Sequence, residues 1–238
     1  LSRTEPRVLL SAQEWGVVAL SAKVSGVAIL GVLPLAFALA FALARGRFRG
    51  RVLLDALVHL PLVLPPVVIG WMLLVAFAPA GPIGAWLWRL FGVTLLFRWT
   101  GAALAAAIMA LPLMVRAIRL SLEAVDPRLE QAARTLGAGP WATFWRVTLP
   151  LCAPGIVAGA VLGFARSLGE FGATITFVSN IPGETQTLPL AIYAALQVPG
   201  SDATVWRLAG VAVLLSVLAL VASELLARRQ GGKGAHVL

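Results

Sequence analysis

Apolar runs as long as a lipid bilayer is thick dominate this chain, and they decide the solvent in which every other feature has to be read. Searched for stretches of about 20 apolar residues, the sequence gives Leu20–Ala44, Val52–Phe77, Thr100–Leu120, Leu151–Ala165 with a continuation past Arg166, and Leu208–Leu226. Of 238 residues 60% are apolar and 12% charged, where an ordinary soluble domain carries roughly a quarter charged. The expected fold is all-α and polytopic, about five transmembrane helices in a single membrane domain over residues 1–238.

A formal net charge of +9 suggests nucleic acid until the cations are placed. They cluster between the runs: Arg45, Arg47, Arg49 and Arg51 in one link, the Arg116–Arg146 connection, and Arg228, Arg229 and Lys233 near the end. This is the Lys/Arg excess of cytoplasmic loops, not a groove for phosphates. With an odd number of spans, those clusters put the N-terminus outside and the C-terminus in the cytoplasm. The first run is too long for a signal peptide, so it is a retained span. A single Cys152 excludes an internal disulfide, and no Cys/His set has metal-ligand spacing.

Several features interrupt the spans. Leu188–Val198 is apolar but about half a membrane long at ~1.5 Å per residue, so it reads as a short helix on the outer side. Pro61, Pro65, Pro66 and Pro112 either bend packed helices or mark a hinge or pathway. Gly155, Gly159 and Gly163 recur every fourth residue, a small face suited to close helix packing. Arg166 and Glu170 are four apart and face one another, as do Asp55 and His59. Glu170 either neutralises Arg166 or lines a pathway, and Ser167, Thr174 and Thr176 offer hydroxyls to a passing polar solute.

The stretch from Leu122 to Pro150 is polar. Asp126-Pro127 is a helix start, with aspartate as cap, proline in the first turn and Glu130 at the positive end of the dipole. A helix is expected over Arg128–Leu136, stopped by Gly137-Ala138-Gly139-Pro140, with a second short helix over Trp141–Val147 that returns the chain to the membrane at Leu149-Pro150. Ala132, Ala133 and Leu136 beside a glycine turn suit the close approach of a partner, which a mere connector does not need.

Gln131-Ala132-Ala133, Gly137, Val147 and Leu149-Pro150 fall at the spacing of the cytoplasmic coupling loop of ABC importer permeases: Glu-Ala-Ala, three residues, Gly, nine residues, Ile-x-Leu-Pro. The chain has glutamine where that pattern has glutamate, with Glu130 one place earlier, and valine for isoleucine. Along its length, with His59–Val68, Leu129–Gly139 and Ala165–Thr174 through Asn180–Thr185, it resembles the molybdate permeases of bacterial ABC importers.

The resemblance implies a type I importer fold in the inner membrane. It implies a homodimer, two cytoplasmic ABC ATPase subunits docked through Glu130, Gln131, Ala132, Ala133, Leu136 and Gly137, and a periplasmic oxyanion-binding protein. Tungstate and sulfate permeases are close relatives and alternatives. The sequence contains no Gly-x4-Gly-Lys-Ser/Thr loop, so no cofactor is expected on this chain, and ATP and Mg belong to the partner ATPase. Two histidines supply little for an intramembrane enzyme, and no internal repeat favours a secondary transporter.

Overall fold

The computed structural model describes residues 10–231, which contain helices and connecting turns and no strand. In chain order these are α1 (Ala12–Arg45), α2 (Arg51–Val63), α3 (Pro66–Phe77), α4 (Gly84–Phe91), α5 (Trp99–Glu123), α6 (Pro127–Thr135), α7 (Pro140–Thr143), a π-helical turn (Phe144–Thr148), α8 (Leu149–Leu168), α9 (Gly172–Val178), α10 (Leu188–Leu196) and α11 (Asp202–Gly231). Four helical stretches are long and apolar enough to cross a membrane, and a fifth crossing is available if the bent pair α2–α3 counts as one. Lys233 and His236 lie outside the described residues.

α1 begins eight residues before the expected start at Leu20, because a polar device starts it. Ser11 caps the helix, its hydroxyl accepting from the Glu14 N–H at 3.2 Å while the Glu14 carboxylate accepts from the Ser11 N–H at 2.6 Å, the reciprocal capping box. At 34 residues the helix is ~51 Å long against a ~30 Å hydrocarbon core. Its first turns therefore pack on protein: Arg207 of α11 grips Glu14 at 2.8 Å, and the Ser21 hydroxyl accepts from the Leu188 N–H of α10 at 2.7 Å.

The second span expected over Val52–Phe77, interrupted by its prolines, is two helices bent by 109°. Pro65 forces Leu64 into the extended region, φ −71° and ψ 141°, since its ring excludes the helical conformation of the preceding residue. Pro66 then opens α3 from the first turn, where a missing N–H costs nothing. α10 stays short at nine residues, as expected.

α5 is the centre of the bundle, packed by α1 on one side and α8 on another. Its alanines, among them Ala102, Ala105, Ala106 and Ala110, are buried and let neighbouring backbones approach. The α8 glycines supply the matching small face. A Cβ on Gly155 would collide with the Ser121 side chain, one on Gly163 would lie 2.7 Å from Met114 Cγ, and one on Gly159 would lie 3.3 Å from Ala117 Cβ. Gly155→Leu is expected to cost about 1–3 kcal/mol through overpacking, read as a lower melting temperature in detergent. An unchanged melting temperature would show that α8 does not rest on α5 there.

Candidate functional site

The charged loop is assembled from both ends. Asp126 Oδ1 accepts from the Arg128 N–H at 2.9 Å and Pro127 occupies the first turn of α6, which fixes the start read from the sequence. The chain then turns at Gly137, whose φ of +89° is the left-handed conformation that glycine adopts without strain.

The short helix expected over Trp141–Val147 is not separate from the span that follows it: α7, the π-helical turn and α8 run on as one 29-residue helical stretch, Pro140–Leu168. The Leu149 N–H reaches back to the Phe144 carbonyl, an i→i−5 step. This wider turn falls directly before Pro150, whose missing N–H would otherwise orphan a carbonyl in a regular helix.

Glu130 faces into the chain and clasps the loop to it. Its carboxylate accepts from Arg45 at the end of α1, at 3.0 and 3.4 Å, and from the Thr148 hydroxyl at 2.8 Å. Arg45 also donates to the Leu122 carbonyl at the end of α5. One carboxylate thus joins the ends of α1 and α5, the loop helix α6 and the root of α8. The Phe144 ring meets Phe37 and Phe41 of α1 edge-on at 6.0 and 5.8 Å, and stacks on Trp141, adding an apolar tie beside the ionic one.

The outer surface of the loop is what remains free. Gln131, Ala132 and Gly137 are exposed, Ala133 is half-buried, and Leu136 is 88% exposed. No atom lies within 4 Å of where a Cβ on Gly137 would stand. A rigidly held corner presenting a bare leucine, small residues and the exposed Trp141 is suited to receive another protein.

The hydroxyl and carboxylate candidates gather where α8 breaks from α9. The helix ends at Leu168, yet Glu170 still reaches Arg166 at 2.8 Å. Its other oxygen accepts from the Ala173 N–H at 2.9 Å and caps α9. The Thr176 hydroxyl is spent on the Gly172 carbonyl. Thr174 is buried, and so is Ser167, whose hydroxyl has no hydrogen-bond partner among the described residues. In this conformation these groups hold the break together and present little to solvent. Gly70 of α3 lies so close to Ala173 that a Cβ there would stand 2.6 Å from its carbonyl, so α9 is wedged against the bent pair.

Sequence reasoning missed two things. Arg119 joins α5 to α2 through Asp55 at 3.2 Å and holds Glu123 at 2.9 Å, next to the Asp55–His59 contact at 3.2 Å. The clustering of charges at span ends was the only signal for it. Arg116, counted from sequence among the loop cations, lies inside α5. Among the described residues no three His, Cys, Asp or Glu side chains are grouped to hold a metal.

A helical bundle with four to five candidate membrane spans, a charged loop clamped to its core and an exposed corner on that loop describes an integral membrane protein. Residues 33–232 match the family described as the binding-protein-dependent transport system inner membrane component, and the chain belongs to it. It is 57% identical over 221 residues to the molybdenum transport system permease protein ModB of Escherichia coli K12, covering 93% of this chain and 96% of that one. It is 54% identical over 214 residues to ModB of Haemophilus influenzae Rd, covering 90% and 93%. In fold it matches a bacterial alginate ABC transporter solved in complex with an alginate pentasaccharide-bound periplasmic protein, with a TM-score of 0.71 at 20% identity over 92% of this chain and 80% of that one.

Proposed function

We propose that this chain is the membrane-spanning subunit of an ATP-driven importer that carries molybdate across the bacterial inner membrane. The observation that carries the reading is its identity to molybdenum permeases along 93% of its length. Two copies form the pathway, an ABC ATPase docks on each Leu136–Gly137 corner, and a periplasmic oxyanion-binding protein delivers the solute on the opposite face. The loop face with Arg45, Arg47, Arg49 and Arg51 is cytoplasmic by the positive-inside rule, and the start of α1 is then periplasmic and the end of α11 cytoplasmic.

A motor is required on physical grounds. A dianion entering a cell that is negative inside climbs about 2.3 kcal/mol per charge per 100 mV, so ~4.6 kcal/mol before any concentration gradient. ATP and Mg are handled by the partner ATPase, and this chain acts by positioning and gating.

The test is uptake of labelled molybdate into proteoliposomes holding this chain with its ATPase and binding protein, with tungstate and sulfate as competitors. ATP-dependent uptake blocked by tungstate and not by sulfate is expected. Preferential sulfate uptake would change the cargo, and no ATP-dependent oxyanion uptake by an assembled complex would overturn the importer reading.

A further inference from the structure

The chain between α3 and α5 lies at the end of α5 opposite the charged loop, and the short helix α4 within it is seated chiefly through its first turn. A Cβ on Gly84 would collide with the carbonyls of Ala78 and Phe77, and the Ile83 N–H donates to the Ala76 carbonyl at 3.0 Å, so that turn rests tightly on the end of α3. Beyond it the helix is bare: Trp86, Trp88, Leu90 and Phe91 are each more than half exposed. At about 100° per residue, Trp86 and Leu90 lie on one side and Trp88 on the opposite one, with Phe91 between them, its ring meeting Trp86 edge-on at 5.9 Å.

Apolar groups bared on opposite sides decide between occupants. A protein partner covers one face of a helix and water favours none of these side chains, whereas lipid surrounds a helix on every side. A cavity of about 220 Å³ lies between α4, the end of α3 and the link to α5, lined by Phe77, Leu87, Trp88, Val93 and Leu95 among others. The Thr94 hydroxyl and the Trp88 indole N–H are the only polar side-chain groups among its lining residues, too few to hold water well, and its walls suit a segment of acyl chain. From Pro79 to Trp99 the sequence has two arginines, Arg89 and Arg98, and no acidic residue. Both arginines are exposed, and guanidinium groups pair well with phosphate. Tryptophan rings beside arginines are the groups that settle at headgroup level.

We propose that α4 is an interfacial anchor. It lies in the headgroup region of the leaflet on the side away from the charged loop, with Trp86, Trp88, Leu90 and Phe91 among acyl chains and Arg89 and Arg98 on phospholipid phosphates. Because its first turn is seated on α3, the anchor holds the end of α3 at the membrane surface, on the far side of the 109° bend from α2. The inference goes beyond the importer reading and does not depend on the cargo.

The experiment uses the full chain in liposomes of phosphatidylethanolamine and phosphatidylglycerol, with a nitroxide on Trp86→Cys, Trp88→Cys or Phe91→Cys in a Cys152→Ala parent, which removes the one native thiol. Accessibility to oxygen, which partitions into lipid, is compared with accessibility to a water-soluble nickel chelate. Labels on Val213→Cys of α11 and Leu136→Cys of the loop, both exposed, give the lipid and water references. All three α4 positions are expected to favour oxygen, at a depth of about 5–10 Å into the boundary between headgroups and acyl chains. Adding Arg89→Glu and Arg98→Glu is expected to move the label at position 88 outward, toward the nickel chelate, and an unchanged depth would overturn the phosphate contacts. Nickel-favoured accessibility at the three positions would place α4 in water. Protection of one side from both reagents, or spin coupling to a second copy, would give that side to a protein, and any of these results would overturn the anchor.

Discussion

Glu130→Ala is expected to leave the complex able to hydrolyse ATP but to cut molybdate uptake per ATP by tenfold or more. The carboxylate takes hydrogen bonds from Arg45 at 3.0 Å and Thr148 at 2.8 Å, and through Arg45 it reaches the Leu122 carbonyl. At a half-buried site, where water replaces much of what is lost, the truncation costs about 1.5–3 kcal/mol, too little to unfold a bundle whose core lies elsewhere. It is enough to let α6 swing, so a push on Leu136 would no longer reach α1 and α8. Glu130→Gln, which still accepts from Thr148, is expected to fall between the two. A second substitution separates holding the loop from docking on it. At Gly137 an added Cβ meets no atom within 4 Å, so Gly137→Trp costs chiefly the strain of a left-handed backbone, about 1–2 kcal/mol, but it blocks the approaching surface and is expected to abolish stimulated ATP hydrolysis. The check is ATP hydrolysis and uptake measured together in proteoliposomes; an unchanged uptake-to-ATP ratio in Glu130→Ala would rule out the clasp as a transmission element.

The parts of this fold that sequence reading reaches are those set by local chemistry. Length of apolar run fixes which helices are long, Asp126-Pro127 fixes where α6 begins, and Gly137 fixes where it turns. The errors have a common cause in tertiary context. α1 extends to Ala12 because the Ser11–Glu14 capping box starts it and Arg207, 193 residues away, neutralises Glu14; no window of hydropathy contains that partner. Pro65 and Pro66 announce a break, but the 109° angle is set by α3 lying against α9 through Gly70. The helix read over Trp141–Val147 runs on through Leu149-Pro150 into α8, because a π-helical turn absorbs the missing donor. Arg116 reads as a loop cation because it sits three residues before Arg119; only the length of α5 places it in the span.

The site was legible in the same uneven way. The spacing of Gln131-Ala132-Ala133 and Gly137 locates the loop, and the structure puts Gln131, Ala132, Leu136 and Gly137 on its outer side. That Glu130 turns inward depends on Arg45, 85 residues earlier, and is invisible to spacing. The consequence is a division of labour between adjacent residues: Glu130 fixes the loop to its own chain, and Leu136 and Gly137 face outward. A glutamine at position 131 is compatible with this, since the ionic anchor already exists one residue before it.

Glu170→Ala is expected to be the most destabilising single substitution among the candidate residues. The residue is 3% exposed, pairs with Arg166 at 2.8 Å and caps α9 through the Ala173 N–H. Truncation leaves an arginine without its counter-ion and a helix N–H without an acceptor, and removing one partner of a buried pair costs about 3–5 kcal/mol. Because α9 is wedged against α3, the loss should also loosen the break between α8 and α9. Glu170→Gln keeps an acceptor for Ala173 and is expected to recover part of the stability but not the charge balance. The double change Arg166→Leu/Glu170→Leu removes both charges together and is expected to be markedly more stable than Glu170→Ala, since a buried pair replaced by apolar groups is often neutral. Thermal unfolding in detergent of the three variants, alongside molybdate uptake, separates the roles. If the double variant regains stability and transports, the pair is structural. If it is stable yet transports nothing, the charges at this break act on the solute, and the path runs past Glu170.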